Sequence, residues 1–72
     1  MNVLKLSKWT ICVENQYKTV QQGNMLVVLD SEKDFVVLFS VDENYNIVIE
    51  KCCMNCHCEI DYKYKKILLE VA

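Results

Sequence analysis

The chain has 72 residues, of which 53% are hydrophobic and 25% are charged, and its net charge is −2. This length predicts one domain, residues 1–72, and the hydrophobic content excludes a disordered chain. No apolar run approaches the ~18 residues of a membrane-spanning helix. The first ten residues hold two lysines and no small-residue cleavage site. We therefore expect no signal peptide, no membrane partner and a cytoplasmic location.

The basic side chains are all lysines. Arginine forms bidentate contacts with phosphate and guanine that lysine does not reproduce, and nucleic-acid-binding domains carry a concentrated basic patch. An acidic chain without arginine therefore argues against nucleic acid as the partner.

Valine is the commonest residue and alanine occurs once, which favours strands over helices. Polar breaks separate the apolar segments at intervals of roughly eight to twelve residues, the spacing of strands in small barrels and sandwiches. The candidate strands, in chain order, are residues 3–13 with a bulge or a break near 7–8, then 17–22, 25–29, 35–41 and 45–51. The runs 25–29 and 35–41 are continuously apolar, which predicts central strands that are apolar on both faces.

The segment after Cys58 fits either a strand or a short helix. As a strand it forms a hairpin with residues 45–51, turning at 54–55 and pairing Ile49 with Ile60. As a helix it places an apolar stripe, beginning at Ile60, at the helical spacing. The strand is the preferred interpretation. The predicted fold is mainly β: a small single-domain barrel, or a strongly bent antiparallel sheet, of about five to seven short strands.

Four thiols and one imidazole lie within the segment Cys52–Cys58. A Cys53-x-x-Cys56 pair at a tight turn presents two sulfurs to one zinc ion, and Cys58 and Cys12 are the further candidate metal ligands. In the alternative arrangement the thiols are reduced, some in the core and the rest on a loop, and no cofactor is bound. We expect this second arrangement, because neighbouring strand residues point to opposite faces and only Cys12 lies outside the cluster.

No set of residues for catalysis is evident in the sequence. His57 is the only histidine; it follows Cys56 directly, and neighbours on a strand diverge. It also completes a C-x-x-C-H pattern, but haem attachment requires an export signal that we do not find. The only glycine, Gly23, cannot by itself form a phosphate-binding loop. Acidic residues concentrate in predicted turns, where Asp usually caps backbone groups. We therefore expect a protein that is not an enzyme.

Residues 41–52 carry an aspartate after an apolar residue, an asparagine four positions later, and then an apolar strand ending in an acid. This pattern resembles the first signature of the Sm-like family, with residues 25–72 supplying the family's strands in order. The resemblance implies an oligomer of small barrels in which Asp42 and Asn46 contact a base of single-stranded RNA. The family's second signature, Arg-Gly, is absent at residues 69–71, so the cation of that RNA site is missing.

The strand 35–41 offers apolar side chains on both faces, and a chain this short has little material to cover both. An exposed apolar patch of this kind marks a partner surface. The candidate partner-binding residues are Phe35, Val37, Phe39, Asp42 and Glu43.

We therefore expect a non-enzymatic module that occupies a surface of a larger protein and inhibits or regulates it. Phages and mobile elements encode such short proteins against host defences, and anti-CRISPR proteins are one class of them, acting in the host cytoplasm. A homodimer through the same surface is equally compatible with the pattern. The alternatives are an Sm-like RNA-binding oligomer and a zinc-stabilised interaction module.

Overall fold

The computed structural model describes residues 1–71 and, within them, contains eight β-strands and no helix. The strands are β1 (Asn2–Leu6), β2 (Trp9–Val13), β3 (Lys18–Gln22), β4 (Met25–Leu29), β5 (Phe35–Val41), β6 (Ile47–Cys52), β7 (Cys56–Asp61) and β8 (Lys66–Val71). They form two four-stranded sheets, a first sheet of order β1-β2-β8-β7 and a second of order β3-β4-β5-β6. The mainly β class is confirmed. The strands number eight where the sequence predicts five to seven, and the C-terminal segment is a hairpin of β7 and β8.

One hydrophobic core lies between the two sheets. Because side chains alternate across a strand, every second residue of the central strands faces this core. The first sheet contributes Leu6, Trp9, Ile11, Val13, Ile67 and Leu69, and the second contributes Leu26, Val28, Val36, Val37, Phe39 and Val41. The sheets therefore pack face to face and bury one face each.

Residues 3–13 form a hairpin of β1 and β2, so the interruption predicted near residues 7–8 is a break and not a bulge. Ser7 has a φ of 57°, the positive value required at the first central position of a tight two-residue turn. The turn reverses the chain and pairs Leu4 with Ile11, so that both side chains point to the same face. A single extended strand would have placed these two residues on opposite faces, which is why the sequence suggested a bulge or a break.

Two hairpin loops, 30–34 and 42–46, share one geometry. In each loop the carboxylate Oδ1 of the first residue, Asp30 or Asp42, accepts two backbone N–H groups at 2.9 Å, from the third and the fifth loop residues. The fourth residue of each loop, Lys33 or Tyr45, has a positive φ of 67° or 65°. The aspartates are therefore turn-forming residues, as the sequence predicts.

The predicted hairpin between the sixth strand and the C-terminal segment is wrong. Ile49 pairs with Phe39 of β5, and Ile60 pairs with Ile67 of β8. The chain instead crosses from the second sheet to the first between β6 and β7, so these two strands share no backbone ladder. β8 then pairs in parallel with β2, where a purely antiparallel sheet had been expected. The observed pairing also avoids the unfavourable opposition of Glu50 and Glu59 that the predicted register required.

Candidate functional site

The solvent-facing side of the second sheet carries at least one apolar side chain on every strand, with polar residues such as Gln22 and Ser40 at its margin. Strand pairing aligns Val20, Val27 and Leu38 in one row across three strands. The whole set, called the outer apolar face below, consists of Val20, Met25, Val27, Leu29, Phe35, Leu38 and Val48. Val20, Met25 and Val48 are 55%, 44% and 37% exposed, and the other four are half-buried. Part of the chain's apolar surface thus remains in contact with water, as the two-sided pattern of these strands predicts.

A β-bulge decides which residues of β5 reach this outer face. Val28 pairs with Val37 while Leu29 pairs with Phe35, which leaves Val36 as the extra residue. A bulge turns two successive side chains to one side of a strand, and both Val36 and Val37 are buried in the core. Phe35 is left on the opposite, outer side.

Of the three apolar residues predicted to bind a partner, only Phe35 is accessible. Val37 and Phe39 are both 0% exposed and belong to the core, so neither can contact a partner in the folded protein. Leu38 takes their place on the outer face. Strict alternation counted from Phe35 placed all three on one face, and the bulge at Val36 shifts that register by one residue.

Lysines border the outer apolar face on both edge strands. Lys18 of β3 lies opposite Leu29, and Lys51 of β6 lies opposite Leu38. The Lys51 ammonium lies 5.3 Å from the centroid of the Phe35 ring, within range of a cation–π contact. Each edge strand thus carries a lysine beside the face, and on β6 the exposed Glu50, whose Oε1 accepts a 2.7 Å hydrogen bond from the Ser40 hydroxyl, lies next to Lys51.

Asp42 and Glu43 lie in the loop between β5 and β6, beyond the end of the outer apolar face. Both are exposed. The Asp42 carboxylate is engaged by the backbone N–H groups of Asn44 and Asn46 at 2.9 Å. The acid-to-asparagine spacing that resembles the Sm-like signature thus serves loop formation, as in the equivalent loop at Asp30. RNA binding by Asp42 and Asn46 stays a prediction.

The cysteine cluster lies at the open side between the two sheets. Cys53 and Cys56 form a tight turn in which the Cys56 N–H donates to the Cys53 carbonyl at 3.2 Å. Cys52 is the last residue of β6, and its Sγ lies 3.6 Å from the Cys56 carbonyl oxygen. Cys56 and Cys58 are two residues apart on β7 and are both half-buried against the core. Edge strands of different sheets therefore bring their thiols together.

Two thiols at this site, those of Cys56 and Cys58, have a raised pKa. Burial raises the pKa of Cys56 well above the ordinary thiol range, and hydrogen bonding to Cys52 and the proximity of Cys58 add to the shift. Burial also raises the pKa of Cys58, opposed in part by a hydrogen bond from Cys56. A thiol is a weak nucleophile compared with its thiolate, so neither group is activated for attack at neutral pH.

Cys12 does not join the other three predicted metal ligands. It pairs with Val3 and Leu68 and lies on the outer side of the first sheet, whereas Cys56 and Cys58 face the core. The sequence placed Cys12 in this set because it was the remaining thiol. In residues 1–71 no three His, Cys, Asp or Glu side chains, as they stand, are arranged to hold a metal ion.

Cys12 instead lines a groove of about 670 Å³ on the outer side of the first sheet. Leu68 also lines it, and Glu59, Tyr62 and Lys66 contribute polar groups to its walls. The sequence analysis did not find this groove, because its wall residues come from strands and a loop whose pairing only the fold reveals.

No family model, characterised protein or solved structure significantly matches this chain. Among the described residues, no helix has the length and apolar character needed to cross a membrane.

Proposed function

We propose that the protein is a non-enzymatic binding module that inhibits or regulates a larger protein by covering part of its surface. The supporting observation is the outer apolar face, which extends across all four strands of the second sheet. Single exposed apolar residues are normal on protein surfaces, whereas contiguous patches are typical of interaction sites.

The lysine rim favours a partner with an apolar patch bordered by carboxylates. Lys18 and Lys51 stand at opposite edges of the face, so such a partner would meet complementary charge on both sides. The exposed Glu50 beside Lys51 makes the β6 edge mixed in charge, so a second copy of this chain is the alternative occupant.

We propose the class of phage or mobile-element inhibitors of host defence, such as anti-CRISPR proteins. Members of this class are short, mildly acidic and bind their targets stoichiometrically. This chain has one small domain, a net charge of −2 and an outer apolar face, which fit that profile. The proposed site of action is the host cytoplasm.

The experiment compares two matched substitutions, Val20→Lys and Val3→Lys. Val20 is 55% exposed on the edge strand of the second sheet, and Val3 is 63% exposed on the edge strand of the first. The readout is phage plaquing on bacteria that each carry one CRISPR–Cas system. We expect the protein to restore plaquing against one system, Val20→Lys to lose this effect and Val3→Lys to keep it.

The second measurement is light scattering on the complex purified with the effector of that system. We expect the measured mass to equal that of a complex with a fixed, whole-number ratio of the two proteins. Equal effects of the two substitutions would contradict binding through the outer apolar face. A homodimer that Val20→Lys dissociates would show that a second copy is the occupant. A ring oligomer that binds uridine-rich RNA would support the Sm-like alternative instead.

A further inference from the structure

The loop between β7 and β8 alternates tyrosine and lysine. This tyrosine–lysine loop consists of Tyr62, Lys63, Tyr64 and Lys65. The two tyrosine rings are 68% and 70% exposed. The Asp61 carboxylate accepts the N–H groups of Lys63 and Tyr64 at 3.0 and 3.1 Å, which orders the backbone of the loop. Two accessible aromatic rings and two lysines are thus presented on one ordered turn.

Trp9 joins this loop to two neighbouring loops. The Tyr62 ring packs edge-to-face against the Trp9 ring, with 6.0 Å between the centroids and 87° between the planes. The Lys65 ammonium lies 5.7 Å from the centroid of the Trp9 ring. Trp9 directly follows the β1–β2 turn and contacts the β5–β6 loop through the carbonyl of Tyr45. The three loops therefore meet at one end of the molecule.

The charges of the chain are unevenly divided between this end and the rest of the molecule. These loops and the adjoining strand ends hold the lysines Lys5, Lys8, Lys63, Lys65 and Lys66 and the carboxylates Asp42, Glu43 and Asp61. This end thus has two positive charges in excess, and the rest of the chain has four negative charges in excess. The net charge of −2 argues against nucleic acid only as an average over the chain, and it conceals a cationic region.

Alternating accessible rings and cations suit single-stranded nucleic acid. Its bases stack on aromatic side chains with little regard to sequence, and its phosphates attract the neighbouring cations. A duplex keeps its bases paired and offers the rings no stacking partner. A carboxylate-rich protein would engage the lysines and leave the rings without one. The combination of rings and lysines therefore favours a single strand over both.

We propose that the tyrosine–lysine loop binds single-stranded nucleic acid, with bases stacked on Tyr62 and Tyr64 and phosphates in contact with Lys63 and the lysines around it. Lysine does not form bidentate contacts with guanine, so the site binds without strong base preference. It lies apart from the outer apolar face, which belongs to the second sheet. It also differs from the Sm-like alternative, because it uses neither Asp42 nor Asn46 and requires no ring oligomer.

The first experiment measures binding of labelled probes to the full chain by fluorescence anisotropy. The probes are a short oligothymidine, the matching oligouridine, an abasic strand with the same number of phosphates, and a duplex of equal length. We expect both single strands to bind with dissociation constants of ~10⁻⁴–10⁻⁶ M, and the abasic strand and the duplex to bind about tenfold more weakly.

Two outcomes of this titration would overturn the proposal. The first is the absence of binding by either single strand in that concentration range. The second is equal binding of oligothymidine, the abasic strand and polyglutamate. That result would indicate a surface for polyanions in general, acidic proteins included, and would assign no role to the rings.

The second experiment uses substitutions with matched controls. Tyr64→Ala should weaken oligothymidine binding about tenfold, whereas Tyr64→Phe keeps the ring and should leave the affinity unchanged. Lys63→Gln should reduce the slope of log affinity against log salt by about 0.7, the value for one phosphate contact of a single strand. Lys18→Gln makes the same change of charge at another exposed lysine, at the start of β3, and should leave the slope unchanged. Equal effects within either pair would contradict the proposed site.

Two further variants separate this site from the other proposals. Asp42→Ala should retain oligouridine binding, and a loss of binding in this variant would support the Sm-like contact in place of the tyrosine–lysine loop. Val20→Lys should not weaken oligothymidine binding. Because Val20 belongs to the outer apolar face, a failure of the docking function and a failure of nucleic-acid binding would be distinguished.

Discussion

The indole Nε1 of Trp9 donates a 2.7 Å hydrogen bond to the backbone carbonyl of Tyr45. Trp9 begins β2 of the first sheet and Tyr45 lies in the β5–β6 loop of the second, so this bond joins the sheets at one end of the molecule. Tyr45 has a positive φ of 65°, and the Lys8 ammonium lies 4.2 Å from its ring centroid. A buried ring thus holds a strained loop residue in place.

Trp9→Phe removes this donor while keeping an aromatic ring in the core. We expect the free energy of unfolding to fall by about 2 kcal/mol, from the lost hydrogen bond and the smaller ring. Urea denaturation followed by tyrosine fluorescence would measure the change. The control is Tyr64→Phe, which alters a ring that is 70% exposed and should change stability by less than about 0.5 kcal/mol. Similar losses in both variants would mean that the Trp9–Tyr45 bond contributes little.

Asp30→Ala and Asp42→Ala should have nearly equal effects on stability. Each substitution removes two 2.9 Å hydrogen bonds from an exposed hairpin loop of the same geometry. By analogy with helix capping, the expected cost is about 1 kcal/mol for each, measured by thermal or urea denaturation. A special role for Asp42 in RNA binding would appear as a loss of RNA affinity in Asp42→Ala alone. Equal stability losses without any RNA effect would assign both aspartates to turn formation.

The bulge in β5 makes Phe39 a core residue and Phe35 a surface residue, which two identical substitutions can test. Phe39→Leu should lower the free energy of unfolding by about 1–2 kcal/mol, because a fully buried ring is replaced by a smaller side chain. Phe35→Leu should cost less than about 0.5 kcal/mol, since Phe35 is only half-buried. Chemical denaturation measures both values. Equal losses in the two variants would instead indicate the unbulged register, in which both rings share one face.

The reduced protein should lose stability at alkaline pH. The folded state raises the pKa of Cys56 and Cys58 through burial, so it favours the protonated thiols more than the unfolded chain does. The resulting stability is fully present below the unfolded thiol pKa of about 8.5 and decreases as the pH rises above it. Melting temperatures recorded with a chelator and a reductant from neutral to alkaline pH would show this decrease. Cys56→Ser should flatten the curve, and an unchanged slope in that variant would exclude Cys56 as its source.

The sequence predicts the local elements of this fold better than their assembly. The strands at 25–29 and 35–41 have the same bounds as predicted, because continuous apolar runs between polar loops identify central strands. The loops after these strands, 30–34 and 42–46, each begin with an aspartate. Its carboxylate accepts backbone N–H groups of the same loop, which is a local interaction that the sequence predicts. These features depend only on neighbouring residues.

The errors all concern long-range pairing or register. The extra residue Val36 puts Phe35 and Val37 on opposite faces of β5, and no local pattern in a run of apolar residues reveals that shift. β6 and β7 have compatible patterns, yet they belong to different sheets because β8 pairs with β2. The place of Cys12 is hidden from the sequence for the same reason: which face it occupies depends on its pairing with Leu68, far away in the chain.

The parallel pairing of β2 with β8 has a consequence for how the protein folds. Ile11 pairs with Ile67, so the first sheet is complete only after most of the chain has been closed into a loop. Closing so long a loop is slow, because the chain loses conformational entropy before the stabilising contacts form. The second sheet is a continuous run of neighbouring hairpins and requires no such closure. We therefore expect the second sheet to form early and to present its inner face as the template on which the N-terminal and C-terminal hairpins later meet.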